Sequence, residues 1–351
     1  MAVTKVRIGI VGAGENARTR HIPGFQHLEE VELIAVCNRS LQSGQRVAEQ
    51  FGIPRVYSRW DQVVNDPDVG AVLIGTWPYM HAQCTCAALR AGKHVLCEAR
   101  MAMNSREAHE MWSTSRANPQ LVAQIVPSPA TLAFDRTIQK LIADWYLGEP
   151  YVVQIRQLSK EFLNTEGDIH WREDFGLSGY NVLSLGIWYE ALMRWLGEAT
   201  EVVAMSQVFV KHRFDRRRDQ RVGVRVPQHV DVIAQMACGA QTQMQFSAAT
   251  GLADASSAWL FGSQGTLHLD LVERKLYGGR RGDPALRTIS IQPAMEDSWR
   301  VEEEFVGAIR GEEDVVLTSF EQGVKYMEFT EAVAVSAARG KVVTLPLVCP
   351  Q

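Results

Sequence analysis

Two rhythms of apolar and polar positions divide the chain. Up to about residue 126, short apolar runs at Val6–Val11, Val31–Cys37, Ala71–Thr76, His94–Glu98 and Leu121–Val126 alternate with helix-period stretches at Leu41–Phe51, His81–Ala91 and Ser105–Arg116. Runs that are apolar at successive positions suit strands buried on both faces, and their alternation with helices predicts a doubly wound parallel α/β sheet. Asn104 or Ser105 can cap the third helix, with Glu107 and Glu110 near its positive end. Pro127 and Pro129 punctuate the exit.

Beyond them the period changes. A helix is expected around Ala130–Leu147, ending at Gly148, and Pro150 then opens an extended run, Tyr151–Leu158. A helix is expected at Leu183–Leu196, and alternating segments follow at Val202–Val210, Val230–Met236, Gln241–Ser247, Ser257–Phe261 and Thr266–Leu271. A last helix, Glu321–Arg339, and a short strand, Val342–Leu345, complete the pattern. It predicts a C-terminal α+β domain with a large, mostly antiparallel open sheet, so the expected domains are 1–126 and 127–351. The Arg-rich stretch Lys211–Arg221 reads first as a solvated hairpin tip, with a lip over a ligand pocket as the alternative.

Composition narrows the class. A chain of 351 residues, 46% hydrophobic and 22% charged, is large enough for two cored domains. A formal net charge of −4 gives no footprint for nucleic acid or an anionic membrane, and no apolar run is long enough to span a bilayer. No secretory leader precedes the first strand, and the six cysteines lack CxxC pairing. The expectation is a cytoplasmic protein with reduced, buried thiols and no metal site. No Gly-x-Ser-x-Gly elbow, His-Glu-x-x-His or Walker loop occurs.

Gly12-x-Gly14-x-x-Ala17 follows the first predicted strand and opens a helix. The first glycine permits the tight turn, the second lets backbone approach a pyrophosphate, and Ala17 allows close helix–strand contact. At the end of the second strand, where an acidic residue would bind a ribose 2′-hydroxyl, the chain has Asn38-Arg39-Ser40. Losing the carboxylate and gaining a guanidinium favours NADP over NAD, or tolerance of both; the bland reading of Arg39 is a surface residue.

Gly92-Lys93-His94-Val95-Leu96-Cys97-Glu98-Ala99-Arg100, taken with Val6–Ala17, resembles the Gfo/Idh/MocA oxidoreductases. Gly75–His81, Trp171-Arg172-x-Asp174 and Phe261–Thr266 extend the resemblance over nearly the whole chain. It implies an N-terminal Rossmann domain, a nicotinamide cofactor, and a small substrate such as a sugar, sugar acid or polyol. Gly12, Gly14, Glu15, Asn16, Asn38, Arg39, Thr76, Trp77, His81, Glu98, Ala99, Trp171 and Arg172 are the implied cofactor residues. The family's open C-terminal sheet commonly packs between subunits, which implies a homodimer or homotetramer.

The resemblance also marks departures. The family's strand continues Lys-Pro where this chain has Ala99-Arg100, and its helix signature carries Asp and His where this chain has Ser184 and Trp188. Tyr180, Ser184 and Trp188 are spaced i, i+4, i+8, which on a continuous helix is one face, with Asn181 alongside. Tyr180 is the expected proton donor and His170 the other candidate. Arg100, Asn181, Ser184 and Trp188 are expected at the substrate, Arg100 favouring an anionic group. The bland readings are a loop histidine and helix-core aromatics. The expected activity is an NAD(P)-dependent oxidoreductase on a CH–OH or ketone group with an atypical site. The alternatives are a redox-neutral lyase, hydratase or hydrolase that retains the cofactor, and a non-catalytic nucleotide-binding regulator.

Overall fold

The computed structural model describes residues 5–253 and 255–347. Contacts divide it into two units, the chain up to Pro127 with Arg300–Val324, and Ser128–Trp299 with the segment from Lys325 onward.

The first unit is built on six parallel strands, β1 (Val6–Val11), β2 (Val31–Cys37), β3 (Arg55–Tyr57), β4 (Ala71–Ile74), β5 (His94–Cys97) and β6 (Ala123–Ile125), in the order β3-β2-β1-β4-β5-β6. This is the Rossmann order, with the strand sequence reversing beside β1. Ala71, Val72, Leu73 and Ile74 are all fully buried, as a strand covered on both faces must be. The helices start where local chemistry says they should. Ser40 and Ser43 form a reciprocal cap before Leu41–Phe51, Gly52 ends it at φ 70°, and Asn104 accepts from the Glu107 N–H before Ser105–Arg116.

Three elements of this unit carry no strong periodic signal: the three-residue edge strand β3, the helix Trp60–Val64, and a π-helical turn Ala17–His21 after the glycine loop. A further helix, Val301–Arg310, arrives from far along the chain. Behind it, Ile125 N–H donates to Thr318 O at 2.9 Å and Thr318 N–H returns to Ile125 O at 3.2 Å. The Gln124 amide nitrogen donates to Leu317 O at 2.7 Å and to Glu304 Oε1 at 2.8 Å. This pairing covers the otherwise open edge of β6.

The second unit carries a nine-stranded sheet. Its strands are β7 (Pro150–Leu158), β8 (Ala199–Gln207), β11 (His229–Met236), β12 (Gln241–Ser247), β13 (Ala255–Gly262), β14 (Gly265–Asp270), β15 (Lys275–Arg280), β16 (Arg287–Ile289) and β17 (Val343–Thr344). The order is β16-β15-β14-β13-β7-β12-β11-β8-β17, with β7–β12 parallel and the other pairs antiparallel. The alternation seen in sequence is the burial pattern: Val230, Val232, Ala234, Met244 and Phe246 turn inward. Helix Leu185–Leu196 lies in this core, where Tyr189 stacks on Phe329 at 3.7 Å.

A separate two-stranded hairpin joins β9 (His212–Asp215) to β10 (Gln220–Gly223). Its arginines are engaged rather than merely solvated. Arg213 is buried and donates to Glu173 Oε1 at 2.9 Å, Gly167 O at 3.1 Å and Asn164 O at 2.8 Å, while Arg217 and Arg218 pair with Asp174 and Asp215. Among the described residues Cys37, Cys84, Cys86 and Cys97 are buried free thiols and Cys238 is an exposed one; Cys349 lies outside the described residues.

Candidate functional site

The glycine loop of the first unit is cut to receive a ligand. Gly12 has φ 86°, and a Cβ there would stand 2.8 Å from Thr76 N. A Cβ on Gly75 would lie 2.3 Å from Gly12 O, so two glycines are needed for the β1 and β4 ends to touch. At Gly14 a Cβ would meet only Gly75 O, at 3.4 Å, leaving one side of the turn open. A cavity of about 740 Å³ lies beside this loop, walled by Gly12, Gly14, Asn38, Arg39, Thr76 and Trp77 among others. That volume is in the range of small-molecule sites. The Thr76 hydroxyl is buried and finds no hydrogen-bond partner among the described residues, an orphaned polar atom in the cavity wall.

At the β2 end, Asn38 Oδ1 accepts from Arg39 N–H at 3.0 Å, and the Arg39 guanidinium lies 5.7 Å from the centre of the Trp77 ring. Ser58 and Arg59, from the loop after β3, and Trp60 and Asp61, from the first turn of the helix Trp60–Val64, also wall the cavity, and sequence reading missed them. Arg59 and Asp61 form an ion pair that holds the Asp61 carboxyl below its usual range. No motif marks this loop; only its position after a strand of a doubly wound sheet points to it.

Glu15, Asn16, His81, Glu98 and Ala99 lie outside the cavity walls. His81 is fully buried between loops. Its Nδ1 is 3.0 Å from Arg100 O and its Nε2 is 3.0 Å from Thr76 O, and burial lowers its pKa. Its ring thus lies between the chain after β5 and the chain after β4, with a nitrogen facing a backbone carbonyl on each side. Ala99 and Arg100 are joined by a cis peptide bond, and Arg100 is buried.

Asn16 and Glu98 belong to a buried charged cluster. His21 is wholly inaccessible, with Nε2 3.0 Å from Glu98 Oε1 and Nδ1 hydrogen-bonded to Glu302 Oε1. Asn16 Nδ2 donates to Glu98 Oε1. Burial opposes a charge on His21, yet the bonds to Glu302 and Glu98 prevail and raise its pKa to about 9. Glu98, which burial would push up, is held below the usual carboxylate range by His21 and Asn16. An imidazolium thus bridges the turn after the glycine loop, the end of β5 and the helix Val301–Arg310. The sequence shows His21 and Glu302, but nothing local joins residues 281 positions apart.

The second unit contradicts one expected arrangement. Tyr180, Ser184 and Trp188 do not share a helix face, because the helix begins at Leu185. Gly179 at φ 62° and Leu183 at φ 44° break the path. Tyr180 therefore lies in a turn, edge-on to Phe175 at 5.3 Å, and Asn181 is buried, donating to Ser178 O at 2.7 Å. Ser184 is the residue before the helix and only Trp188 stands within it, 1% exposed. Glu190, on another face, is buried against Arg194.

Ser184 and Trp188 nonetheless converge. Ser184 Oγ donates to Gln157 Oε1 at 2.7 Å, and Trp188 Nε1 donates to the same oxygen at 2.6 Å. Gln157 was missed, although a signal exists: it is the polar member of the inward column Val153, Ile155, Gln157 of β7. His170 Nδ1 accepts from Arg172 N–H at 3.3 Å, and Arg172 stacks over Trp171 at 4.2 Å. Burial and the Arg172 cation lower the pKa of His170. Glu173 Oε2 accepts from His170 N–H at 3.1 Å, so the Arg213 ion pair reaches this turn.

Residues 6–125 match the profile described as "Oxidoreductase family, NAD-binding Rossmann fold", and residues 136–268 match the "GFO/IDH/MocA C-terminal domain". Among curated proteins, the chain is 27% identical over 183 residues to a trans-1,2-dihydrobenzene-1,2-diol dehydrogenase of Bos taurus, covering 52% of each chain. It is 32% identical over 149 residues to a 1,5-anhydro-D-fructose reductase of Ensifer adhaerens, covering 42% of this chain and 44% of that one. The match thus spans about half the length of these relatives or less. A levoglucosan dehydrogenase solved with NADH and L-sorbose superposes with a TM-score of 0.82 at 20% identity, over 97% of this chain and 99% of that one. The chain belongs to the Gfo/Idh/MocA oxidoreductase family.

Proposed function

We propose that this protein is an NAD(P)-dependent dehydrogenase or reductase acting on a CH–OH or ketone group of a sugar, sugar acid, polyol or related small molecule. The observation that carries the cofactor is the glycine cradle: Gly12 and Gly75 in backbone contact, Gly14 open, and the Thr76 hydroxyl buried without a hydrogen-bond partner among the described residues. Gly12 and Gly14 would hold the pyrophosphate, with Thr76 and Trp77 along the dinucleotide. Asn38, Arg39 and Arg59 would surround the adenosine ribose. Asp61 is neutralised by Arg59, and the Arg39 cation beside an amide suits a 2′-phosphate, so NADP should bind at least as tightly as NAD. A bound nicotinamide supplies or accepts a hydride.

The remaining work is proton exchange and orientation. Tyr180 stays a candidate donor on its own chemistry, without the helix-register argument. His170 gains weight. Its Nδ1 is used within its own turn, and burial with the Arg172 cation lowers its pKa, favouring the neutral ring. Arg100 favours a substrate with an anionic group. Apolar Val203, Met205 and Ile233 on the outer face of the second sheet suit a homodimer or homotetramer, and buried free thiols suit the cytoplasm.

The test is a panel of levoglucosan, L-sorbose, 1,5-anhydro-D-fructose and trans-1,2-dihydrobenzene-1,2-diol, each with NAD⁺, NADP⁺, NADH and NADPH, read at the reduced-nicotinamide absorbance. Cofactor-dependent turnover of any member supports the reading. Tight cofactor binding with product formed but no net change in nicotinamide would favour the redox-neutral alternative, for which the departures at Ala99, Ser184 and Trp188 speak.

A further inference from the structure

We propose that Gln157 recognises an oxygen of the substrate, its amide N–H₂ acting as a fixed and uncharged donor. The ligand class, a hydroxylated or keto compound, rests on the dehydrogenase reading above; the placement of the donor does not. An indole N–H can only donate, so the amide atom 2.6 Å from Trp188 Nε1 is the oxygen and not the nitrogen. The Ser184 hydroxyl donates to that oxygen at 2.7 Å. Together the two donors occupy both lone pairs of Oε1. The amide cannot rotate by half a turn without setting N–H against N–H. Its nitrogen is consequently turned away from both, and makes no hydrogen bond to any described residue.

Position favours the same role. Val153 and Ile155, the two inward residues before it on β7, are fully buried, whereas Gln157 is half-buried. It therefore stands where the core of the sheet opens. A donor pair that is held in place and still has room for an acceptor is matched by a hydroxyl, ring or carbonyl oxygen, and mismatched by an ammonium or a second amide nitrogen. Gln157 cannot exchange a proton, so it orients the substrate and sets which oxygen is accepted. Ser184 and Trp188 are then positioning residues, acting through the amide they hold. The family resemblance would place an acid and a base at those two positions; this chain builds an oriented neutral donor from them instead.

The experiment titrates L-sorbose and 1,5-anhydro-D-fructose calorimetrically into NADPH-saturated protein. Gln157→Glu keeps the length and can still accept from Trp188 and Ser184, but presents oxygen where N–H₂ stood. It should weaken sugar binding by about 10-fold to 100-fold, the scale of a lost and inverted hydrogen bond. NADPH affinity and the unfolding temperature should stay at the wild-type values. Trp188→Phe frees the amide to flip and should give an intermediate loss of roughly 3-fold to 10-fold, and it decides the matter where the new charge itself disturbs the fold. Sugar binding unchanged in both variants, or no binding of either sugar to wild type, overturns the assignment. Sugar binding that depends on Gln157 without any hydride transfer would refute the dehydrogenase reading and leave this one standing.

Discussion

Removing the imidazolium at the centre of the buried cluster gives the sharpest test of the first unit. His21→Gln leaves Glu98 and Glu302, both on the same ring in the native protein, with no cation between them. The folded pKa of His21 is raised to about 9, above the ordinary histidine value of 6.5. At about 1.36 kcal/mol per unit, protonation in the folded state contributes roughly 3 kcal/mol. The sign follows from the direction. This stabilisation is complete below about pH 6.5, where both states are protonated, and falls as pH rises through 9, where the folded state also loses its proton. For a unit of this size, 1 kcal/mol shifts the midpoint by roughly 2–4 °C, so the wild-type protein should lose roughly 6–12 °C between pH 6 and 10. His21→Gln should start lower by at least that amount and lack this component of the pH slope. The assay is thermal unfolding followed by circular dichroism across that pH range, for both proteins. A variant as stable as wild type at pH 7, or equal slopes for the two proteins, would show that His21 is not charged in the fold.

Asn38→Asp should restore a carboxylate beside the adenosine ribose and move preference towards NADH, by about 10-fold or more in the ratio of dissociation constants; fluorescence titration checks it, and an unchanged ratio places Asn38 away from the ribose. Tyr180→Phe and His170→Asn separate the two proton-exchange candidates: the true one should lower kcat by about 10² or more with cofactor affinity intact, the other by less than about 10-fold. Ser184→Ala should alter kcat only modestly, because Trp188 still holds Gln157; a fall of several orders of magnitude would give Ser184 a direct role. Arg213→Gln withdraws the cation from Glu173 and three bonds from the 164–173 segment, and should speed hydrogen exchange there by about 10-fold or more while leaving the nine-stranded sheet protected.

What could be read from the sequence was what local chemistry decides. Leu41–Phe51 and Ser105–Arg116 carry their own caps, and Gln241–Ser247 shows its burial as alternation, so all three have the expected bounds. The glycine motif announced its cavity because a positive φ and a close backbone approach leave few other residues possible. What failed depended on distance or on rare backbone angles. Leu183 at φ 44° is not signalled by any residue type, and it undid the helix register drawn through Tyr180. The edge strands β3 and β16 have three residues each, too few to show a period. The His21–Glu302 bond and the arginines of the β9–β10 hairpin join segments whose neighbourhood only the fold creates.

The return of Arg300–Val324 to the first unit has a consequence for synthesis. A ribosome delivers β1 to β6 before the helix Val301–Arg310 and the Leu317–Ser319 segment exist. At the usual 5–20 residues per second, roughly 10–40 s pass before those later residues emerge. During that interval β6 offers an unpaired edge, and His21 has only one of its two carboxylates. The nascent first half is thus an incomplete body whose open strand can recruit another chain, and a recombinant piece ending at Pro127 would keep that exposed edge permanently.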